Sequence, residues 1–373
     1  RIRNLGFIDN VEPHLMPTGA SNIVDLDIEV TEGRPGNINA SAGYSSIDEL
    51  FFTTGFMYMN LFGLGQHVDL TAEFGRKKTN FSANWTEPYI FDKNASLTLS
   101  IFHMTRTKDF GDITDAYNEN RTGFSIGVGP RISSLVSLMF GYRYEDVTLF
   151  KINDSVKKKI EEASDLSKDK TTSVFTQIIY DSLDYRYDPT KGNRQSLSIN
   201  VAGSWLGGEV DYIRMVLRSS WFLPVFWKFV FCTRIEIGAI TSYGVMKNVP
   251  IYERFYTGGP ESLRGYKYRV EVGPVDGGNY KAVINFEYKC PIIAERENSI
   301  LVGALFYDIG GDWSKHGIIK WLGTGENNLR SSAGVELRIA TPAFPIRIGW
   351  AYGFNHKEEE KLQDIYFSIG FPV

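Results

Sequence analysis

The chain has 373 residues and a formal net charge of -4, so it lacks the basic surface that nucleic-acid binding requires. No C2H2, RRM or phosphate-cradling motif appears either, and nucleic acid is not expected as a partner. Its 36 Gly, 25 Phe, 20 Tyr and 7 Trp are high for a helical or α/β protein. No run of about 18 apolar residues exists to form a transmembrane helix.

Residues 1–34 differ from the rest of the chain. Asn4 to Val11 is expected to close a short helix or turn. Val24 to Val30 alternates Val24, Leu26, Ile28 and Val30 with Asp25, Asp27 and Glu29, the period of a half-buried strand. About thirty residues bury no core of their own, and Arg1-Ile2-Arg3-Asn4 carries no signal-peptide pattern. Residues 1–34 therefore read as the tail of a truncated α/β module, and residues 35–373 as a second domain.

That second domain repeats alternating segments separated by turns. Leu197, Ile199, Val201 and Trp205 share one face of Arg194 to Trp205, while Ser196, Ser198, Asn200 and Ser204 share the other, as in a strand. The same holds for Val136, Leu138, Phe140, Tyr142 and Tyr144 against Ser137, Gly141, Arg143 and Glu145, and for Ala333, Val335, Leu337 and Ile339 against Ser332, Glu336 and Arg338. A soluble sandwich alternates too, but its dry face lies inside and its polar face meets bulk water. Here the small and charged residues share one face and the large, almost charge-free residues the other, which fits lipid outside and a polar lumen within. Sixteen segments are expected, starting near Asn37, Leu50, His67, Lys78, Ala95, Asn120, Val136, Thr172, Arg194, Val210, Trp227, Asn279, Ile300, Asn328, Ile346 and Gln363. The fold class is all-β, a sixteen-stranded antiparallel transmembrane barrel.

Connections alternate in length. Leu61 to Gln66, Pro130 to Leu135, Leu223 to Phe226 and Ala340 to Pro345 are short, whereas Thr107 to Tyr117, Asp146 to Lys170, Tyr243 to Gly278 and Gly310 to Asn327 are long. Trp221, Phe222, Phe226 and Trp227 suggest an interfacial aromatic belt, with a sandwich core cluster as the alternative. Ser155 to Leu166 has helical composition and reads as a solvated surface helix, a partner site being the alternative. Cys232 and Cys290 fall at opposite parity on their strands, which argues against a disulfide. His14, His67, His103, His316 and His356 show no metal spacing. No nucleophile elbow, Walker loop or dinucleotide fingerprint is present, so neither cofactor nor enzymatic chemistry is indicated.

The run from Tyr243 to Gly278 is too long for an idle turn and too aromatic for disorder. Within it stands Leu263-Arg264-Gly265-Tyr266. The flanking strands place Lys281, Val283, Asn285 and Glu287, then Val302, Ala304, Phe306 and Asp308, on the inward face. Glu287 and Asp308 thus lie beneath the loop, where a guanidinium engages carboxylates bidentately. Lumen charges that merely solvate a channel are the competing reading.

Leu263-Arg264-Gly265-Tyr266 resembles the aliphatic-Arg-Gly-aromatic motif in the sixth extracellular loop of the BamA-type outer-membrane assembly family. Asn4-Leu5-Gly6-Phe7 and Val24 to Glu32 resemble the end of that family's last POTRA module. Glu87-Pro88-Tyr89 is similar to a periplasmic turn, Tyr187-Asp188-Pro189-Thr190-Lys191-Gly192 to a mid-barrel turn, and Asp308-Ile309-Gly310-Gly311-Asp312-Trp313 to the segment that receives the loop arginine. The ordered set covers essentially the whole chain. One departure is the end, Phe371-Pro372-Val373, where the family closes on an aromatic residue.

The resemblance implies an integral barrel of the bacterial outer membrane that acts as an insertase without covalent catalysis. Unfolded barrel proteins would be its substrates, and accessory lipoproteins, periplasmic chaperones and membrane lipid its partners. It implies that Glu287 and Asp308 hold Arg264, and that a lateral gate lies between the first and last strands, at Asn37, Ile38, Asn39, Ala40 and Ser41 against Phe367, Ser368, Ile369, Gly370 and Phe371. Asn37 to Ser46 is small and polar, so its pairing should be weak; an ordinary closing pair is the alternative. A TamA-like or two-partner secretion translocator and a passive porin are the alternative functions.

Overall fold

The computed structural model describes residues 8–17, 24–45, 47–163, 169–185, 188–244, 246–295, 298–314, 319–339, 346–358 and 360–369. A two-stranded hairpin, β1 (Ile8–Pro17) and β2 (Val24–Glu32), comes first. The barrel wall then runs through β3 (Gly36–Ser45), β4 (Glu49–Leu61), β5 (Gln66–Gly75), β6 (Lys78–Glu87), β7 (Ala95–Phe110), β8 (Ile113–Pro130), β9 (Val136–Phe150) and β10 (Asp169–Asp181). It continues with β11 (Gly192–Ala202), β12 (Tyr212–Pro224), β13 (Val230–Ser242), β14 (Tyr280–Glu295), β15 (Asn298–Trp313), β16 (Arg330–Ile339), β17 (Ile346–Gly353) and β18 (Gln363–Ile369). Among the described residues these sixteen strands, β3 to β18, each pair antiparallel with the next, and β18 closes on β3. Closure leaves no strand of the described wall without a neighbour on either side, as a bilayer demands of β-structure.

The hairpin departs from the sequence expectation. Ile8 to Val11 belong to β1 and not to a helix or turn, because Val11 sits opposite Val30 and Glu12 opposite Glu29; Asn4 to Phe7 lie outside the described residues. β2 is exposed along its whole length rather than half-buried, since β1 is its sole strand neighbour among the described residues. Side-chain parity across the wall follows the period of two. On β14, Lys281, Val283 and Glu287 are buried within, and on β16 Val335 and Leu337 are exposed to the outside.

Connections at the rim reached by the ends of β4, β6, β8 and β12 are short. At the opposite rim the loops are long only from β9 onward. Thr107 to Tyr117, expected as a long loop, is instead the top of a hairpin, for Lys108 pairs with Tyr117 and Phe110 with Ile113. The strand expected to reach Trp205 ends at Ala202. Of the aromatic cluster at the β12–β13 turn, Trp221, Phe226 and Trp227 are exposed, but Phe222 points inward, 5 % exposed, onto Val230 and Cys232. The outer face is not free of polar groups either: His103, Thr122 and Asp146 form one cross-strand row on the face shared with Ile101 and Phe124. Cys232 and Cys290 are both free thiols.

Helix α1 (Asp154–Ala163), in the β9–β10 loop, is not the solvated helix that its composition suggests. It packs through Val156 and Ile160, one turn apart on one face, onto Phe110, Tyr117, Val147, Ile251 and Tyr252. Ile160→Ala is expected to weaken this docking by about 2–5 kcal/mol, seen as faster proteolysis within α1 while the barrel core stays resistant. An unchanged cleavage rate would show that the helix is not held by this contact.

Candidate functional site

The chain between Ser242 and Tyr280 folds into the lumen and not out over the rim. Ile251, Phe255, Leu263 and Tyr266 are all buried there, as the aromatic content of the loop requires. Gly265 has φ +84, a left-handed backbone that favours glycine, and a side chain at that position would press on Ala351. This turn aims Arg264 at the wall on one side and Tyr266 at the β16–β17 region on the other. The Tyr266 hydroxyl donates to the carbonyl of Ser331 (2.9 Å), lies 3.2 Å from that of Asn355, and accepts from the Asn355 N–H (3.1 Å).

Arg264 is 2 % exposed and meets three acids from three successive strands. Its Nε donates to Asp308 Oδ2 (2.7 Å) and Nη2 to Asp308 Oδ1 (2.6 Å), a bidentate fork. Its backbone N–H reaches the same carboxylate at 3.1 Å. Nη1 donates to Glu287 Oε1 at 2.8 Å and lies 3.6 Å from Glu336 Oε2. The guanidinium also stacks on Phe306, 3.6 Å from the ring centre. Burial alone would lower the pKa of Arg264, but the hydrogen bonds of Asp308 and the charge of Glu287 hold it well above the ordinary value.

The acids are shared. Arg338 donates to Glu287 (2.8 Å) and to Glu336, and Arg347 bridges Glu336 (3.1 Å) to Glu261 of the loop (2.6 Å). Asn285 donates to Asp308 (2.8 Å) and to the Ser262 carbonyl (2.7 Å). Tyr366 on β18 donates to Glu336 Oε2, and its ring lies over Gly349, where any side chain would collide with it. The network therefore runs from the loop through β14, β15 and β16 to the last strand. Glu336, Arg338, Arg347 and Tyr366 are members that the loop motif alone does not point to, although strand alternation puts all four on the inward face. Tyr366→Phe is expected to lower stability against urea by about 1.5–3 kcal/mol, the range for a hydrogen bond to a charged group; no change would show that Arg338 and Arg347 satisfy Glu336 without it.

A second set of contacts pins the loop to the opposite wall. Arg121 on β8 donates to Glu253 (2.8 Å) and to the Tyr252 carbonyl (2.8 Å), and the Tyr252 hydroxyl donates to Asp169 (2.7 Å). Arg269 stacks on Tyr256, 3.7 Å from the ring centre. These anchors tie the loop across the lumen from β8 to β18.

Seam geometry departs from the sequence expectation. β3 pairs with β4 through ten residue pairs, Gly36 opposite Tyr58 to Ser45 opposite Glu49. Against β18 only two pairs form among the described residues, Ser45 with Ser368 and Tyr44 with Ile369, with Tyr44 and Phe367 rings 6.0 Å apart. Asn37, Ile38, Asn39, Ala40 and Ser41 do lie on β3 but do not face Phe367, Ser368 or Ile369, because the strands meet with a large stagger. Gly370 and Phe371 lie outside the described residues.

A model of the Omp85 superfamily domain matches residues 60–372. The chain belongs to the Omp85 superfamily. Membership and the sixteen-stranded barrel make it an integral outer-membrane protein. It is 28 % identical over 99 % of its length to the outer membrane protein assembly factor BamA of Nitratidesulfovibrio vulgaris, covering 46 % of that protein. It is 26 % identical to BamA of Neisseria meningitidis, covering 99 % of this chain and 51 % of that one. The chain thus spans about half the length of these curated relatives. Its fold is shared with BamA from Haemophilus ducreyi lacking POTRA domains 1–3, at a TM-score of 0.81 and 22 % identity over 99 % of this chain and 76 % of that one. With CdiB from Escherichia coli the TM-score is 0.63 at 13 % identity, over 97 % and 67 %. In this Omp85 barrel the loop motif occupies the lumen, and the weakest contact of the described wall is the closing one.

Proposed function

We propose that this chain is the membrane domain of an outer-membrane assembly protein, residues 1–34 being the end of its last POTRA module and residues 35–373 the barrel. It acts without covalent catalysis, folding and inserting β-barrel proteins at the seam between β3 and β18. The observation that carries this reading is the closure of β18 on β3 by two pairs among the described residues. A net backbone hydrogen bond contributes about 0.5–1.5 kcal/mol, so among the described residues the β18 contact is several-fold weaker than the ten-pair β3–β4 contact. Separating β3 from β18 exposes two strand edges, each a template for an incoming strand.

Arg264, Glu287, Asp308 and Glu336 serve as a brace. Through Tyr366 they hold β18 to its own side of the barrel, so the seam parts in front of β18 and not behind it. Substrates are unfolded barrel proteins, delivered by periplasmic chaperones and helped by accessory lipoproteins, and the neighbouring lipid takes part in insertion. The loop spanning the lumen speaks against a passive porin. The test is the folding rate of a urea-unfolded barrel protein into liposomes that contain this protein with its upstream modules. Acceleration supports the reading; no acceleration together with export of an unfolded chain assigns it to the translocators, and solute flux alone to the porins.

A further inference from the structure

The row of polar residues on the outer wall adjoins a groove of about 1030 Å³ that spans β3 to β9 on the lipid-facing side. Its floor is apolar, built by Leu70, Phe81, Ile101 and Phe124, and the small outward residues Ala72 and Ala83 make the depression. Its upper end, toward the long-loop rim, is polar. His103 Nδ1 lies 2.7 Å from Thr122 Oγ1, Thr122 faces Asp146 across the β8–β9 pair, and Asn120 faces Thr148. Thr105 donates to Asn120 Oδ1 (3.2 Å), leaving the amide nitrogen of Asn120 to the groove. No lysine or arginine is among its described lining residues.

Depth explains the division. β7 and β8 have 16 and 18 residues, more than the roughly 9–11 a tilted strand needs to cross the hydrocarbon. Leu99 and Ile101 are apolar outward positions on β7 and His103 is the next toward the long-loop rim; counting about 9–11 residues from the short-turn rim at Ala95 puts His103 near the end of the hydrocarbon span. A carboxylate, an amide, an imidazole and hydroxyls beside the stacked rings of Tyr144 and Phe124, 5.7 Å apart, suit sugar hydroxyls and the apolar face of a sugar ring. With no cationic side chain among the described lining residues, a phosphate has no charged partner there.

We propose that this groove binds a glycolipid, one acyl chain lying along Leu70, Phe81 and Ile101 and the sugar meeting His103, Asn120, Thr122 and Asp146. The proposal does not rest on the assembly function. To test it, the folded protein in a sugar-free detergent is titrated with a neutral diglycosyl diacylglycerol, with phosphatidylglycerol and with phosphatidylethanolamine, and retained lipid is counted by native mass spectrometry. The glycolipid is expected to be retained at about tenfold lower concentration than either phospholipid, the preference that one or two net hydrogen bonds supply. Asp146→Leu with Asn120→Leu should abolish that preference while leaving weak retention of all three lipids, and Ala83→Phe, which fills the groove, should remove retention altogether. Each variant is first checked for the heat-modifiable band shift of a folded barrel. Equal retention of the three lipids by the wild-type protein, or a preference for either phospholipid, overturns the proposal, as does an unchanged glycolipid preference in the double variant.

Discussion

Arg264→Ala should release the loop from the barrel wall and leave Glu287, Asp308 and Glu336, all nearly fully buried, without their shared cation. Removing one member of a buried ion cluster costs about 3–5 kcal/mol, because the remaining charges lose their partner but not their desolvation penalty. Arg338 and Arg347 still neutralise Glu287 and Glu336, so the loss should concentrate on Asp308, which keeps the hydrogen bond from Asn285. Arg264→Lys retains the charge but not the fork that engages both Asp308 oxygens, and should fall between the wild type and alanine. The readouts are the temperature of heat modification, protease cleavage between Tyr243 and Gly278, and stimulated folding of a barrel substrate. If cleavage and activity both stay at wild-type levels in Arg264→Ala, the cluster is not a brace. A double variant with Asp308→Asn should cost less than the sum of the two single changes, since they remove one interaction.

The second large effect is expected at the seam. Ser45 and Ser368 are direct cross-strand partners, and directly opposed residues in antiparallel strands have Cα atoms about 4.5–5.5 Å apart, within reach of a disulfide. Ser45→Cys with Ser368→Cys, in a background lacking Cys232 and Cys290, should crosslink on oxidation and return substrate folding to the rate of protein-free liposomes, with reduction restoring it. Ser41→Cys with Ser368→Cys is the control: the stagger keeps these positions apart, so no closed-state crosslink should form. Full activity in the oxidised Ser45–Ser368 form would mean that insertion does not pass through this seam.

The inward acids and the outward rings are legible without coordinates. A strand turns alternate side chains to opposite faces, so Glu287 and Asp308 follow from parity alone, and the same parity places Glu336 on β16 and Tyr366 on β18 inside the barrel. The amphipathic pair Val156 and Ile160 is likewise visible as one turn of a helix. Its burial is not, because the surface it covers comes from β7, β8, β9 and the lumen loop, segments up to about a hundred residues away in sequence.

The amino-acid sequence by itself determined the class of wall, which face of each strand meets lipid, and that Glu287 and Asp308 share the inward face, while it left their meeting with Arg264 open against charges that merely solvate a channel. These are properties of a period of two and of composition, and they hold whatever the neighbouring strands do. Register is different. Sliding one strand past another by two residues leaves every side chain on the same face, so alternation cannot distinguish Ser41 from Ser45 as the partner of Ser368. The tertiary structure decided it, because closing the barrel fixes the stagger of all its strands together. The same closure brings Arg264, Glu336 and Tyr366 to one point in the lumen and, among the described residues, leaves β18 holding β3 by two pairs.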